Sequence, residues 1–123
     1  MSSPERLWIF KRARFDAAHH LPTYVGLCRN VHGHTYTVEV GVLVNIDPVT
    51  GMGIDFRELS KVLEHEILGK FDHSDLNRFF ENPTAEVLCS HFHKVVKEHM
   101  KEEAASVCVR VYETPDSWVE KTE

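Results

Sequence analysis

The feature that most constrains the fold is the alternation of residue types across positions 32–46. Apolar residues occupy every even-numbered position from Tyr36 to Ile46, and the odd-numbered positions include Thr35 and Glu39. Successive side chains of a β-strand point to opposite faces of a sheet, so this period of two predicts a long strand with one buried face. A sheet that buries this face is therefore the basis of the predicted fold.

Two amphipathic helices are predicted in the middle of the chain. After Asp55, apolar residues recur at steps of three or four, and Asp55 with Glu58 resembles a capping box. We place the end of this helix at Gly69 because glycine often follows the last helical residue. The dipeptide Asn82-Pro83 predicts the start of a second helix, with Asn as the cap and Pro in the first position.

Further strands are predicted before and after the two helices. Residues 7–19 are rich in aromatic and aliphatic side chains, residues 107–113 alternate again, and a short last strand is expected around Trp118. The resulting order, β-β-α-α-β-β, favours an α+β fold with an antiparallel sheet. The sequence has no internal repeat, low-complexity tract or linker, so we expect one domain over residues 1–123.

Charge, hydropathy and cysteine content exclude several functional classes. The net charge of −5 argues against a general nucleic-acid-binding protein. No apolar run approaches the roughly 18 residues of a membrane-spanning helix, and no secretory signal is visible, so no membrane partner is expected. Cys28, Cys89 and Cys108 are widely spaced and odd in number, which indicates reduced thiols and a cytoplasmic location.

Three of the nine histidines are predicted to converge on a metal site. His32 and His34 point to the same face of a strand because they are two residues apart. If the first two strands form a hairpin, His19 lies across from both, whereas His20 points to the opposite face, toward solvent. Three imidazole nitrogens with one open position are typical of catalytic zinc. Hydrogen-bonded structural histidines and a metal site without chemistry are the alternatives.

Three further residues are candidates for proton transfer. Cys28 lies four residues before His32, and a thiol near a metal tends to ionise and to act as a base or nucleophile. A small buried hydrophobe is the alternative role for this cysteine. Asp72 precedes His73, and an aspartate can orient a neighbouring histidine for acid–base chemistry. Simple loop capping is the alternative explanation for the aspartate.

Glu113 is the candidate for ligand recognition. It shares parity with Val109 and Val111, so it is predicted to point inward at the end of an apolar face. A buried carboxylate needs partners, and the ring N–H and amino group of a purine-like ligand would suit it. A salt bridge is the alternative. Glu86 falls in the first turn of the second helix, where a negative charge also favours the helix dipole.

Six short motifs occur in order along nearly the whole chain. They are Phe15 to His19, Cys28 with His32-Gly33-His34, Asp47 to Phe56, Asp72-His73 with Leu76-Asn77, Pro83 to Glu86, and Val111 to Thr114. Together they resemble the 6-pyruvoyl-tetrahydropterin synthase family. The short spacing from Cys28 to His32 and the pair Asp55-Phe56 are most similar to the 6-carboxytetrahydropterin synthase branch of that family.

The resemblance implies a T-fold and a defined assembly. In this fold an antiparallel sheet carries two helices on one face, three subunits close a barrel, and two trimers stack into a homohexamer with sites between subunits. The resemblance also implies roles: the three histidines would bind zinc, and Cys28 would abstract a proton with Asp72 and His73 as relay partners. The two central helices argue against the alternative of an all-β cupin-like metal enzyme.

The resemblance further implies a substrate and a reaction. Glu113 would anchor a pterin ring with help from Thr84 and Glu86. The substrate would be 7,8-dihydroneopterin triphosphate, converted to 6-carboxy-5,6,7,8-tetrahydropterin with loss of triphosphate and acetaldehyde. The biopterin-type sister reaction, which retains those carbons, is the alternative. Because the chain is acidic and this substrate is a triphosphate, we expect the basic segment 11–14 either to lie near the metal or to protect a strand edge.

Overall fold

The computed structural model of the protein describes residues 5–123 and contains a five-stranded sheet with helices packed on it. The strands are β1 Arg6–His19, β2 His32–Asn45, β3 Ser74–Asp75, β4 Ser106–Thr114 and β5 Ser117–Thr122. Their order in the sheet is β3-β1-β2-β4-β5. The predicted α+β class and the predicted strand–helix–strand order are confirmed.

The helical part of the chain lies between β2 and β4. The helices are α1 Phe56–Val62, α2 Gly69–Phe71 and α3 Ala85–His99. A π-helical segment, Leu63–Leu68, joins α1 to α2, and single 3₁₀ turns occur at Leu27–Arg29 and Leu76–Arg78. Among residues 5–123, no helix combines the length and the hydropathy needed to cross a membrane.

The long hairpin of β1 and β2 is the centre of the sheet. The two strands are antiparallel and stay in register from Arg6 opposite Asn45 to His19 opposite His32. β4 pairs with β2, and β5 pairs with β4, both antiparallel as predicted. β3 pairs in parallel with β1 beside Ala17, so the sheet is mixed rather than purely antiparallel. A strand of two residues is too short to show a periodic pattern, which is why the sequence did not predict it.

The hydrophobic core lies between one face of the sheet and the helices. Even-numbered side chains of β2 such as Tyr36 and Val40 are fully buried. They belong to the same cluster as Leu59 of α1 and as Leu88 and Phe92 of α3. Burying a valine, leucine or phenylalanine side chain contributes roughly 1.5–3 kcal/mol, so the predicted alternation accounts for much of the stability. The odd-numbered side chains of β2 lie on the helix-free face.

The first helix begins as predicted but does not end at Gly69. The Asp55 carboxylate caps α1 by accepting a hydrogen bond from the backbone N–H of Arg57 at 2.8 Å. Gly69 has a helical φ of −63°, and its N–H bonds to the carbonyl of Glu64. A Cβ at position 69 would lie 2.8 Å from that carbonyl oxygen, so the glycine permits the tight π-helical turn. The helical run ends at Phe71.

The second long helix begins two residues later than predicted, so the assignment of Asn82 as cap and Pro83 as first residue is wrong. Thr84 is extended and its hydroxyl caps α3 by accepting from the N–H of Val87 at 3.1 Å. Asn82 instead accepts a hydrogen bond from the Thr23 hydroxyl at 3.0 Å. This arrangement leaves the carbonyl of Pro83 outside the helix and free to bond to another part of the chain.

Candidate active site

Three histidine side chains meet at the end of the β1–β2 hairpin. His19 and His32 are opposite each other in the strand register, and His34 is two residues further along the same face. Their ring centroids are 4.5 to 5.2 Å apart. One nitrogen from each ring lies within 4.8 Å of the others. The convergence predicted from the hairpin is confirmed.

Two backbone carbonyls fix which nitrogens face the centre of this cluster. The Nδ1 atom of His19 lies 2.7 Å from the carbonyl oxygen of Pro83, and the Nδ1 atom of His32 lies 2.8 Å from that of Asn30. Because a carbonyl only accepts hydrogen bonds, both Nδ1 atoms carry the proton. In neutral rings both Nε2 atoms then present lone pairs, and these atoms lie 2.9 Å from each other. Such a pair is stabilised by a shared cation.

His34 supplies a third free nitrogen. Its Nε2 atom is buried and makes no hydrogen bond within residues 5–123. Burial lowers the pKa of His34, which keeps the imidazole neutral, and the nearby Glu113 opposes this effect. Three imidazole nitrogens with no sulfur in the cluster match the donor set of a catalytic zinc ion, which leaves one coordination position open. The residues present therefore fit zinc.

A second layer of contacts around the histidines was not predicted. The hydroxyl of Tyr36, which is fully buried, lies 3.2 Å from Nδ1 of His19. Together with the carbonyls of Pro83 and Asn30 it restricts rotation of the imidazole rings, as partners of metal-binding histidines commonly do. Tyr36 could have been suspected because it shares parity with His34. Backbone carbonyls leave no signal in the sequence.

Cys28 lies in the 3₁₀ turn between β1 and β2 and is half-buried. Its carbonyl accepts a hydrogen bond from the N–H of Leu21 at 2.8 Å, which closes the loop. Among residues 5–123, its thiol makes no hydrogen bond. Cys89 and Cys108 are buried, and burial raises the pKa of the Cys89 thiol to about 11. Cys28 is the accessible thiol of the three.

Asp72 and His73 form an oriented pair at the edge of the sheet. The Asp72 carboxylate lies 3.1 Å from Nδ1 of His73. Its other oxygen accepts the backbone N–H of Asp16 at 2.9 Å, and this hydrogen bond holds the pKa of Asp72 below its usual value. His73 and His34 line the same open groove. Within the described part of the chain, no hydrogen bond joins Cys28 to this pair.

The three predicted ligand-recognition residues occupy different environments. Glu113 is half-buried, and its carboxylate oxygen lies 3.3 Å from Nε2 of His34. The hydroxyl of Thr84 accepts the α3 capping hydrogen bond described above, and Glu86 is exposed in the first turn of that helix. Glu113 is thus placed directly beside the metal-binding candidate residues.

One expectation about a neighbouring polar residue is wrong, and of the two alternatives for the basic segment 11–14 the structure favours the one away from the metal site. His20 is not turned toward solvent: it is half-buried, and its Nδ1 atom is buried without a hydrogen-bond partner in residues 5–123. Arg12 pairs with the buried carboxylate of Glu39, and Arg14 lies opposite Thr37. Since these strand positions face away from His34, the two arginines do not supply positive charge near the candidate metal site.

Comparison with known proteins gives a consistent family. The family model described as 6-pyruvoyl tetrahydropterin synthase matches residues 8–123. A 6-carboxy-5,6,7,8-tetrahydropterin synthase of Synechocystis is 36% identical over 91 residues, which cover 68% of this chain and 70% of that protein. A dihydroneopterin monophosphate aldolase of Pyrococcus furiosus is 38% identical over 78 residues, which cover 63% of this chain and 64% of that protein.

The same family appears among solved structures. The structure of Caenorhabditis elegans 6-pyruvoyl tetrahydropterin synthase matches with a TM-score of 0.84 at 25% sequence identity, and the match covers 100% of this chain and 99% of that one. The fold is therefore the T-fold of these enzymes. The chain belongs to the 6-pyruvoyl tetrahydropterin synthase family.

Proposed function

We propose that the protein is a zinc-dependent lyase that converts 7,8-dihydroneopterin triphosphate and one water molecule to 6-carboxy-5,6,7,8-tetrahydropterin, with release of acetaldehyde and triphosphate. The observation that carries the proposal is the set of three converging imidazoles with Glu113 beside it. A metal held by these imidazoles would lie next to a carboxylate suited to a pterin ring. The 6-carboxy product is supported by the name of the Synechocystis relative.

His19, His32 and His34 would hold the zinc ion. Bound zinc would act as a Lewis acid that polarises the hydroxyl groups of the substrate side chain. The carbonyls that fix His19 and His32 keep their Nε2 lone pairs aimed at the centre. The ligands are therefore already oriented, and little reorganisation is needed when the metal binds.

Proton transfer is assigned to Cys28 with Asp72 and His73. The Cys28 thiolate would remove a proton from the substrate side chain, and triphosphate would leave. Asp72 accepts from Nδ1 of His73, so Nε2 of His73 is the atom that gains or delivers a proton. Because no hydrogen bond joins Cys28 to this pair within residues 5–123, we propose a homohexamer with sites between subunits.

Pterin recognition is assigned to Glu113, Thr84 and Glu86. A carboxylate accepts two parallel hydrogen bonds from a ring N–H and an amino group, and such charge-assisted bonds are stronger than neutral ones. The Thr84 hydroxyl oxygen accepts the capping bond, which leaves its own proton available to a ligand. The location would be cytoplasmic, in keeping with three unpaired cysteines, and no nucleic-acid or membrane partner is proposed.

Product analysis tests the proposal. The purified zinc-loaded protein is incubated with 7,8-dihydroneopterin triphosphate, the pterin is identified by mass, and acetaldehyde is assayed. We expect 6-carboxytetrahydropterin and acetaldehyde in equal amounts, with activity retained in the control variant His99→Ala. A 6-pyruvoyl product without acetaldehyde would establish the biopterin-type reaction instead. Zinc binding without turnover would indicate a non-catalytic metal-binding protein.

A less charged substrate is the second candidate. The Pyrococcus relative is named for a monophosphate substrate, and in this chain Arg12 is paired with Glu39 on the far face of the sheet. The same assay is therefore run in parallel with 7,8-dihydroneopterin monophosphate. A higher kcat/KM for the monophosphate than for the triphosphate would favour the monophosphate as the substrate.

A further inference from the structure

We propose that Asp16 is a positioning residue for the acid–base pair: it fixes Asp72 and His73 through its backbone and stabilises the protonated imidazole of His73 through its carboxylate. The proposal rests on the proposed function, in which His73 transfers protons. Asp16 lies on β1, three residues before the zinc-ligand candidate His19.

The backbone of Asp16 contacts both members of the pair. Its N–H donates to the carboxylate of Asp72 at 2.9 Å, and its carbonyl accepts the N–H of His73 at 2.6 Å. The parallel pairing of β1 with β3 begins at the next residue, where Ala17 lies opposite Ser74. The pair is therefore fastened to the same strand that carries His19.

These two hydrogen bonds to the Asp16 backbone account for an unusual backbone conformation at His73. His73 has a φ of 59°, in the left-handed region that residues other than glycine seldom adopt. Such a conformation persists only where surrounding contacts impose it. The hydrogen bond from the His73 N–H to Asp16 is such a contact, and the bond between Asp72 and the Asp16 N–H holds the preceding residue.

The carboxylate of Asp16 is itself held in place. One of its oxygens accepts the hydroxyl of Thr35 from the neighbouring strand at 2.6 Å. Side-chain atoms of Asp16, Asp72 and His73 lie within 4.8 Å of one another. The imidazole of His73 therefore faces two carboxylates, one that bonds to Nδ1 and one that acts through its charge.

Other titratable groups near His73 do not duplicate this role. His34 and Asp75 line the same groove as His73. Asp75 of β3 is turned toward the 3₁₀ turn that follows it, where its carboxylate accepts the N–H of Asn77 at 3.0 Å. His34 belongs to the metal-binding cluster. Within residues 5–123, Asp16 is thus the second carboxylate grouped with His73.

The test is an NMR titration of the His73 imidazole in the zinc-loaded protein without substrate. Asp16→Asn keeps the acceptor for Thr35 but removes the charge, so the protonated imidazole loses stabilisation. The midpoint of the His73 titration is therefore expected at lower pH in Asp16→Asn than in the wild type. Asp16→Glu, which keeps the charge, and Asp116→Asn, which removes an exposed charge elsewhere, are expected to leave the pKa near its wild-type value.

An unchanged His73 titration in Asp16→Asn would overturn the proposal. If that variant does not fold, Thr35→Val decides, because loss of the hydroxyl frees the carboxylate to turn away and should also lower the His73 pKa. In the activity assay, the limb of the pH–rate profile that reports His73 should move in the same direction with KM unchanged. The titration needs no turnover, so its failure is distinguishable from failure of the proposed reaction.

Discussion

Single residues determine the chemistry of this site through the position of their protons. His19 and His32 each donate a hydrogen bond from Nδ1 to a backbone carbonyl, so in the neutral rings the nitrogens that face inward carry lone pairs. The Nε2 atom of His34 is free of hydrogen bonds in the described part of the chain. A metal held here would therefore depend on Pro83 and Asn30, which contribute only carbonyls, as well as on the three imidazoles.

Replacement of Cys28 by alanine tests the assignment of the base. Cys28→Ala removes the thiol with little change in volume at a half-buried loop position. We expect kcat to fall by at least about 100-fold, the usual contribution of a general base, while zinc content is unchanged. Turnover and metal content are measured on the same preparation. Cys108→Ala is the control, since that thiol lies on β4 away from the histidines.

A double variant of Cys28 and His73 tests whether the two residues act together in one proton transfer or independently. If Cys28 and His73 act in the same proton transfer, Cys28→Ala/His73→Ala should be little slower than the slower single variant. If the fold losses in kcat of the two single variants multiply in the double variant, the two residues act independently and the relay assignment is wrong.

The start of α3 links the candidate metal site to the rest of the fold. Thr84 caps the helix and thereby fixes Pro83, whose carbonyl holds His19. Thr84→Ala should lower the free energy of unfolding by about 1 kcal/mol. It should also weaken zinc binding by roughly tenfold, as loss of partners of metal ligands typically does. The two effects are measured by denaturation and by competition with a chelator.

Asp55→Ala provides a matched control for this prediction. It removes the cap of α1, a helix that makes no hydrogen bond to His19, His32 or His34 within residues 5–123, and should cost a similar amount of stability. Its zinc affinity should be that of the wild type. Equal zinc affinity in both variants would show that the Pro83 carbonyl does not depend on the helix cap.

The elements of the fold differ in how well the sequence predicts them. The hairpin and its register were predictable because the period of two in β2 specifies one buried face, and a register shift of one residue would expose Tyr36. The start of α3 was not, because Asn82-Pro83 and Thr84 both offer start signals and only the tertiary contact of Asn82 with Thr23 decides between them. The π-helical segment depends on packing and has no sequence period of its own.

The residues of the candidate site likewise differ in how well the sequence predicts them. The three histidines were predictable because strand geometry places residues i and i+2 on one face. Pro83, Asn30 and Asp16 act through backbone groups, so the identity of their side chains carries no signal for these contacts.

For the molecule as a whole, the stability of the metal-free protein should fall as the pH is lowered. Burial lowers the pKa values of His34, His91 and His93 from 6.5. The unfolded chain therefore binds more protons than the folded chain below about pH 6.5, so stability is full above that value and is lost as the pH falls toward the folded pKa values. We expect Tm to decrease between about pH 7 and about pH 5.

The carboxylates of Glu39 and Asp72 also have lowered pKa values in the folded chain, but they affect its stability in a more acidic pH range. Their contribution is present above the unfolded carboxyl pKa and is lost only at more acidic pH. His93→Gln, which retains a donor for the Val107 carbonyl without a titrating ring, should reduce the slope of Tm against pH near neutrality. A Tm that rises on acidification would contradict this account of the buried histidines.

Metal analysis of wild-type protein and of His34→Ala is the most direct test of the metal centre on which the proposed chemistry depends. We predict about one zinc per chain in the wild type, and much less in His34→Ala because one of only three protein ligands is lost. His99→Ala, which removes a histidine paired with Glu66 outside the cluster, should keep its zinc. A full complement of zinc in His34→Ala would contradict the assignment of His19, His32 and His34 as the metal site.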